Sequence, residues 1–150
     1  MANEQKDVTN EQKDAICREA KSWLGTPFHH HAQVKGVGVD CGHFVRLVYN
    51  AALGLQLPEP AHYSAQWNLH REKELYLEYL AEYAAEVSEI ERGDVLVFLV
   101  GRTYSHGVLV LDAADRLGIH AMQGHGVVYA KWQIDGFLKY RDFKAYRMEA

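Results

Sequence analysis

The second half of the chain contains two apolar runs, rich in β-branched residues, that a short polar segment separates. The first run reads VLVFLV at 95–100 and follows the turn-forming Arg92-Gly93-Asp94, and the second reads GVLVL at 107–111. Apolar β-branched runs of this length, bounded by turn signals, predict buried strands. Shorter runs of the same kind predict further strands at 119–122, 127–129 and 145–148.

The first half of the chain has helical periodicity instead. Apolar residues recur at helical spacing at Ile16, Ala20, Trp23 and Leu24. Thr9 followed by Gln12 fits a capping box at the start of this helix, although Asn10 fits the N-cap position equally well. Gly25 and Pro27 are expected to end the helix. Residues 26–40 are then expected to form a loop.

Two more helices are predicted before the strands begin. The second starts at Cys41, with Asp40 as its N-cap, and runs to about Ala52, ahead of Gly54. The third covers 65–85, with Leu and Tyr side chains on its inner face. Helices first and strands later predict an α+β fold in which N-terminal helices pack on a central antiparallel sheet.

Length and composition limit the classes of function. At 150 residues, with 48% hydrophobic and 24% charged residues, the chain is expected to be one globular domain, 1–150, with a loosely ordered stretch at 1–10. A net charge of -4 without a Lys/Arg run argues against nucleic-acid binding. No apolar stretch approaches the roughly 18 residues of a membrane span, and the polar, acidic N-terminus does not read as a secretory signal.

One thiol is predicted on the first turn of the second helix, in the Asp40-Cys41 segment. The positive field of a helix N-terminus favours thiolate, and the backbone N–H of Cys41 is available to an oxyanion there. Two histidines, His106 and His120, lie in or beside neighbouring predicted strands, so they are candidates for the base and the group that orients it. His125 competes with His120 for that third role, and a cysteine that merely packs is the alternative for Cys41. Cys17 is expected to be a packed free thiol in the first helix, with a Cys17–Cys41 bridge as the less favoured alternative.

Short motifs along nearly the whole chain from Trp23 onward resemble the NlpC-type cysteine peptidases, in that family's order and approximate spacing. The resemblance is strongest to their phage-tail branch, which gene-transfer agents and tailocins share. The motifs are WLGTPFHH at 23–30, KGVGVDC at 35–41, HYSAQW at 62–67, RGDVLVF at 92–98, SHGV at 105–108, GIHA at 118–121, GVV at 126–128 and FKAYR at 143–147.

The resemblance implies a papain-like fold and hydrolysis of peptidoglycan stem peptides, between γ-D-glutamate and the diamino acid. It places the nucleophile on Cys41, the base on His106 and the third polar residue on His120, with no cofactor. A virion-borne enzyme of this branch would be made in the cytoplasm without a signal peptide, would dock on tail hub or tip proteins, and would act on the cell wall or in the periplasm. The residues expected to contact substrate are Phe28, His30, Asp40, Gly42, Tyr63, Trp67 and Ser105.

Two departures from the family pattern open other interpretations. Phe28 stands where the family often has a tyrosine hydroxyl, and His43 stands two residues after the cysteine, where small residues are common. A tail-tip structural or wall-binding protein without turnover is therefore one alternative, and transpeptidation or amidation by the same thiol is another. The run His29-His30-His31 is expected to form a solvated loop or groove lining rather than a zinc site, because adjacent loop residues rarely all face one ion.

Overall fold

A computed structural model describes residues 8–60 and 74–149 of the chain. In that part the chain forms three helices and eight strands. In chain order they are α1 (Asn10–Lys21), β1 (Gln33–Val34), β2 (Gly38–Val39), α2 (Cys41–Leu53), α3 (Leu75–Tyr83), β3 (Ala84–Val87), β4 (Val95–Val100), β5 (Thr103–Asp112), β6 (Leu117–Met122), β7 (Gly126–Lys131) and β8 (Phe143–Met148).

A six-stranded sheet in the order β3-β8-β4-β5-β6-β7 forms the centre of the fold, and every neighbouring pair in it is antiparallel. Residues alternate between its two faces, as the period of a strand requires. Val97 and Leu109 face the buried cluster that includes residues of α1 and α2. Phe98 and Val108 belong to a second cluster on the other face, which includes residues of the segment 132–138. The α+β prediction is confirmed.

The first helix begins as predicted and ends earlier. Thr9 caps α1, since its side chain accepts from the N–H of Gln12 and the Gln12 side chain accepts from the Thr9 N–H. The helix ends at Lys21, because the chain turns there through short-range hydrogen bonds rather than continuing. Trp23 is still buried, but Leu24 is 39% exposed and does not belong to the core, contrary to the prediction. Val8 is buried ahead of the cap, and residues 1–7 lie outside the described part.

The second helix matches its prediction closely. Asp40 caps α2 by accepting from the N–H of His43, and Gly54 ends it in the left-handed conformation, with φ of 66°. The preceding segment 26–40 is not wholly a loop, because β1 and β2 pair in it as a short antiparallel ribbon. This ribbon shapes the chain immediately before the cysteine.

The third helix ends before its predicted end at residue 85. Residues 65–73 lie outside the described part, and α3 ends at Tyr83. Ala84 and Ala85 belong to β3, because their backbone groups pair with β8 at the edge of the sheet. Long-range pairing has overridden local helix propensity there. Tyr76 and Leu80 are the buried residues of α3, as the Leu/Tyr pattern predicts.

The five predicted strands are confirmed as β4 to β8, each within a few residues. Besides the short ribbon of β1 and β2, the pattern missed β3, since AAEV carries little β-branched signal. Both cysteines are free, so the bridge does not form. In the described part of the chain, no helix is both long enough and apolar enough to cross a membrane.

Candidate active site

Cys41 is the first residue of α2, and its thiol meets the backbone of β5. Its Sγ lies 3.9 Å from the carbonyl oxygen of Ser105, the residue before His106, and donates a weak hydrogen bond to it. Tyr76 lies close by, with its hydroxyl about 3.0 Å from where a β-carbon on Gly107 would sit. The nucleophile predicted from sequence is therefore held beside the strand that carries the predicted base.

The thiol is held in its neutral form. Burial of the sulfur raises the pKa of Cys41 to about 12, and the adjacent Asp40 carboxylate contributes in the same direction. Backbone N–H groups of Gly107, Gly42 and Cys41 itself lower this pKa, as expected at a helix start, but they are outweighed. Desolvation of the sulfur therefore opposes the thiolate that the helix terminus favours.

The structure brings the two predicted histidines into direct contact. The Nε2 of His106 lies 2.7 Å from the Nδ1 of His120, and the rings meet nearly edge to face at 78°. Burial lowers the pKa of His106 to about 3, with His120 and Arg141 adding to the effect. Burial likewise lowers the pKa of His120 to about 4. His125, by contrast, is exposed in the turn after β6, and it is the ring of His120 that lies against His106.

A bulge in β5 lies at this point. Phe98 pairs with His106, while Leu99 pairs with Tyr104, so Ser105 has no direct partner on β4. Bulges re-aim side chains and are common beside active sites. Cys41 thus meets β5 at Ser105, the residue that precedes His106 on the strand. In the described part no hydrogen bond joins the thiol to the His106 ring. The Cys41 thiol donates to the carbonyl oxygen of Ser105 instead.

Two residues that the sequence did not single out complete the surroundings of His106. The Phe137 ring packs against the His106 ring at 5.4 Å between centroids. The Arg141 guanidinium stacks on Phe137 at 4.5 Å and donates to the carbonyl oxygens of Phe137 and Leu99. These residues follow β7 in an irregular segment, so no periodicity in the sequence could have indicated them. Tyr76 was similarly seen only as part of an inward helical stripe.

Asp40 holds the loop before the nucleophile to the helix. Its Oδ1 accepts from the N–H of His43 at 2.9 Å and its Oδ2 accepts from the N–H of His31 at 2.7 Å. The residue is fully buried. Both carboxylate oxygens thus bind backbone groups, and the predicted role of Asp40 in contacting substrate stays a prediction.

The three-histidine run enters this cluster only in part. His30 Nδ1 lies 3.9 Å from the Asp40 carboxylate, and ligand atoms of His31, Asp40 and His43 lie within 4.8 Å of one another. Arg46 places its Nη2 3.2 Å from the Nδ1 of His43. A guanidinium in that position disfavours a second cation. The cluster thus acts as a helix cap and loop anchor.

The remaining predicted substrate contacts are placed as follows. Phe28 is half-buried, bridges to Val39 and packs against the core, so it presents no polar group. Gly42 lies in the first turn of α2, and Ser105 is buried with its carbonyl at the thiol. Tyr63 and Trp67 lie outside the described residues.

A family comparison decides what kind of protein carries this arrangement. The model of the NlpC/P60 family matches residues 25–145, a range that includes Cys41, His106 and His120. The chain belongs to the NlpC/P60 family. Members of this family are typically cell-wall peptidases.

A solved structure supports the NlpC/P60 fold. The chain resembles an NLP/P60 family protein described as similar to lipoprotein, from Staphylococcus aureus, with a TM-score of 0.67 at 18% identity. The match covers 100% of this chain and 45% of that one, so the chain spans under half the length of this structural relative. No curated protein matches the sequence.

Proposed function

We propose that the chain is a cysteine peptidase that hydrolyses an amide bond in peptidoglycan stem peptides. The observation that carries this proposal is the 2.7 Å contact between His106 and His120, on the strand whose Ser105 carbonyl meets the Cys41 thiol. A nucleophile, a base and a group that orients the base are the parts that thiol-dependent acyl transfer needs. Family membership supports the same chemistry.

The His106–His120 contact supports assigning the role of the base to one ring nitrogen. His106 uses Nε2 toward His120, which leaves Nδ1 to accept a proton from the thiol. In the neutral pair, His106 then carries hydrogen on Nε2 and donates it to Nδ1 of His120. The lowered pKa of His106 leaves its ring unprotonated at neutral pH, but it also weakens Nδ1 as an acceptor for the thiol proton.

The reaction begins with a change at the thiol. The Cys41 S–H leaves the Ser105 carbonyl and turns to Nδ1 of His106, which takes the proton as the sulfur attacks the amide carbon. The helix-start N–H of Cys41 stabilises the oxyanion. Protonated His106 then donates to the leaving amine, and water, deprotonated by the same nitrogen, hydrolyses the thioester and regenerates the thiol.

The motif resemblance supports a narrower proposal about substrate and setting. We infer cleavage between γ-D-glutamate and the diamino acid, by an enzyme that is carried on a phage tail or tail-like particle and opens the wall locally. Docking on tail hub or tip proteins belongs to the same proposal. The support is the order of the short motifs, from WLGTPFHH at 23–30 to FKAYR at 143–147.

The test is a digest of purified peptidoglycan analysed by mass spectrometry of the muropeptides. The native protein is expected to release fragments cut within the stem peptide, and Cys41→Ala is expected to release none. Cys17→Ser is the matched control, since that thiol lies in α1 and contacts the carbonyl oxygen of Val110 rather than the candidate site. Fragments from Cys41→Ala, or none from the native protein, would reject the peptidase.

A second candidate, a wall-binding protein without turnover, is favoured by the raised pKa of Cys41 and by Phe28, which lacks a hydroxyl. In the same digest it predicts an unchanged muropeptide profile, together with sedimentation of the protein with insoluble peptidoglycan. A new cross-link or adduct would indicate transpeptidation or amidation instead.

A further inference from the structure

An open cavity lies on the sheet face opposite α1 and α2, and the catalytic group does not use it. It encloses about 560 Å³. Its walls combine apolar side chains with a cationic rim. The residues that matter for its chemistry are Phe98, Trp132 and Leu138 on the wall and Arg116, Lys139 and Arg141 on the rim.

The cavity adjoins the candidate base. Phe98, on its wall, is the direct cross-strand partner of His106 between β4 and β5. Directly opposite residues in an antiparallel pair lie on the same face of the sheet. Arg141, on its rim, stacks on Phe137, whose ring contacts His106. His106 therefore lies on the same face of the sheet as Phe98, beside the cavity.

The charge at the rim is unbalanced. The chain carries a net charge of -4, yet among the residues that the structure describes no Asp or Glu lines the cavity. Within 8–60 and 74–149, Arg116 and Lys139 form no ion pair, whereas Lys131 pairs with Asp115 nearby. Arg141 donates only to neutral carbonyl oxygens. Three cations thus converge on one cavity without a carboxylate.

The backbone and the exposed side chains around the cavity also fit a ligand site. Arg116 and Tyr140 adopt φ of 51° and 70°, and His31 is the other described non-glycine residue with positive φ. Such conformations collect at ligand-binding sites. Tyr140 is 96% exposed and Ile134 is 73% exposed, so apolar surface flanks the cations without being buried.

We propose that this cavity binds a carboxylate-bearing stretch of the substrate peptide, away from the bond that Cys41 attacks. The inference rests on the proposed peptidase function. Guanidinium groups match carboxylates with paired hydrogen bonds, and the apolar wall accommodates the aliphatic parts of the peptide. The cavity selects acidic peptides over their amidated forms.

The test measures binding rather than turnover. Cys41→Ala is the parent protein, and Arg116→Gln/Lys139→Gln is added to it, since both residues are exposed and outside the catalytic group. The matched control is Arg18→Gln/Lys21→Gln, which removes one Arg and one Lys from the exposed last turn of α1. The probes are a synthetic stem peptide with free carboxylates and the same peptide with those carboxylates amidated.

Calorimetry is expected to show that the parent binds the free-carboxylate peptide more tightly than the amidated one. The cavity variant is expected to weaken binding of the acidic peptide by about tenfold at low salt and less at high salt, and to leave the amidated peptide unchanged. The α1 control is expected to behave like its parent. The inference would be overturned if the cavity variant lost affinity for both peptides equally, or lost affinity for neither. It would also be overturned if the parent did not bind the acidic peptide.

The two proposals fail differently. Selective binding by Cys41→Ala together with an unchanged muropeptide digest by the native protein would retain the cavity site and reject the peptidase. Cleavage by the native protein together with unaltered binding in the cavity variant would retain the peptidase and reject the cavity site.

Discussion

Asp40→Asn is expected to weaken the fold and to make Cys41 more reactive at the same time. In the native protein each carboxylate oxygen accepts one backbone N–H, from His43 at 2.9 Å and from His31 at 2.7 Å. Asparagine retains one acceptor and turns an NH₂ group toward the other N–H. Losing one buried hydrogen bond and opposing two donors lowers the free energy of unfolding by about 1–3 kcal/mol.

The same substitution removes the charge that, after burial, contributes most to the raised pKa of Cys41. The thiol pKa is expected to fall while staying above its ordinary value, because the sulfur remains buried. Alkylation by iodoacetamide follows the thiolate fraction, so Cys41 is expected to react roughly threefold faster or more at a given pH. A Cys17→Ser background isolates the Cys41 signal.

The measurements are urea unfolding and the pH profile of alkylation. Asp94→Asn is the matched control, since Asp94 is a buried carboxylate that is not among the charges acting on Cys41. It is expected to destabilise the protein and leave the alkylation profile of Cys41 unmoved. An alkylation profile that stays in place or moves to higher pH in Asp40→Asn would refute the electrostatic argument.

Two further predictions concern the histidine pair. Burial lowers the pKa of His106 to about 3 and of His120 to about 4, so between pH 6.5 and these values the unfolded chain binds protons that the folded one does not. The contribution of the two histidines to the free energy of unfolding is therefore fully present above pH 6.5. It is lost as pH falls, at up to about 1.4 kcal/mol per pH unit for each histidine. Urea unfolding of His106→Gln/His120→Gln should show a shallower dependence, and an equal slope would contradict the assignment. Separately, His120→Ala is expected to lower kcat by about 10²-fold with KM nearly unchanged, and His120→Gln to recover part of the loss; a change in KM alone, or no recovery, would argue against a positioning role.

Local sequence signals were sufficient for most of the fold. The Thr9/Gln12 box, the Asp40 cap and the Gly54 ending act over a few residues, so they can be read directly from the chain. The β-branched runs of β4 and β5 could be recognised equally well, because apolar β-branched residues in sequence already indicate a buried strand. β3 was missed because its AAEV segment becomes a strand only by pairing with β8.

The sequence also singled out Cys41, His106 and His120, through a helix start, two strand positions and the motif resemblance, and the structure brings the two histidines into contact. Their catalytic roles stay predictions. The pKa of the Cys41 thiol and its hydrogen-bond partner could not be predicted from the sequence. The thiol pKa of about 12 follows from enclosure by β5 and from Asp40, and its hydrogen bond to Ser105 depends on a bulge at the Phe98 pair.

The sequence by itself determined the helix caps, the main strands and the residue types available for catalysis, because each depends on neighbours within a turn or a strand. Only the tertiary structure decided that Asp40 is an internal anchor and that Phe137 and Arg141 surround the base. It alone also placed Arg116, Lys139 and Arg141, which come from two loops, around one cavity. Desolvation and charge act through space, between residues that the chain places far apart, and no local pattern encodes those distances.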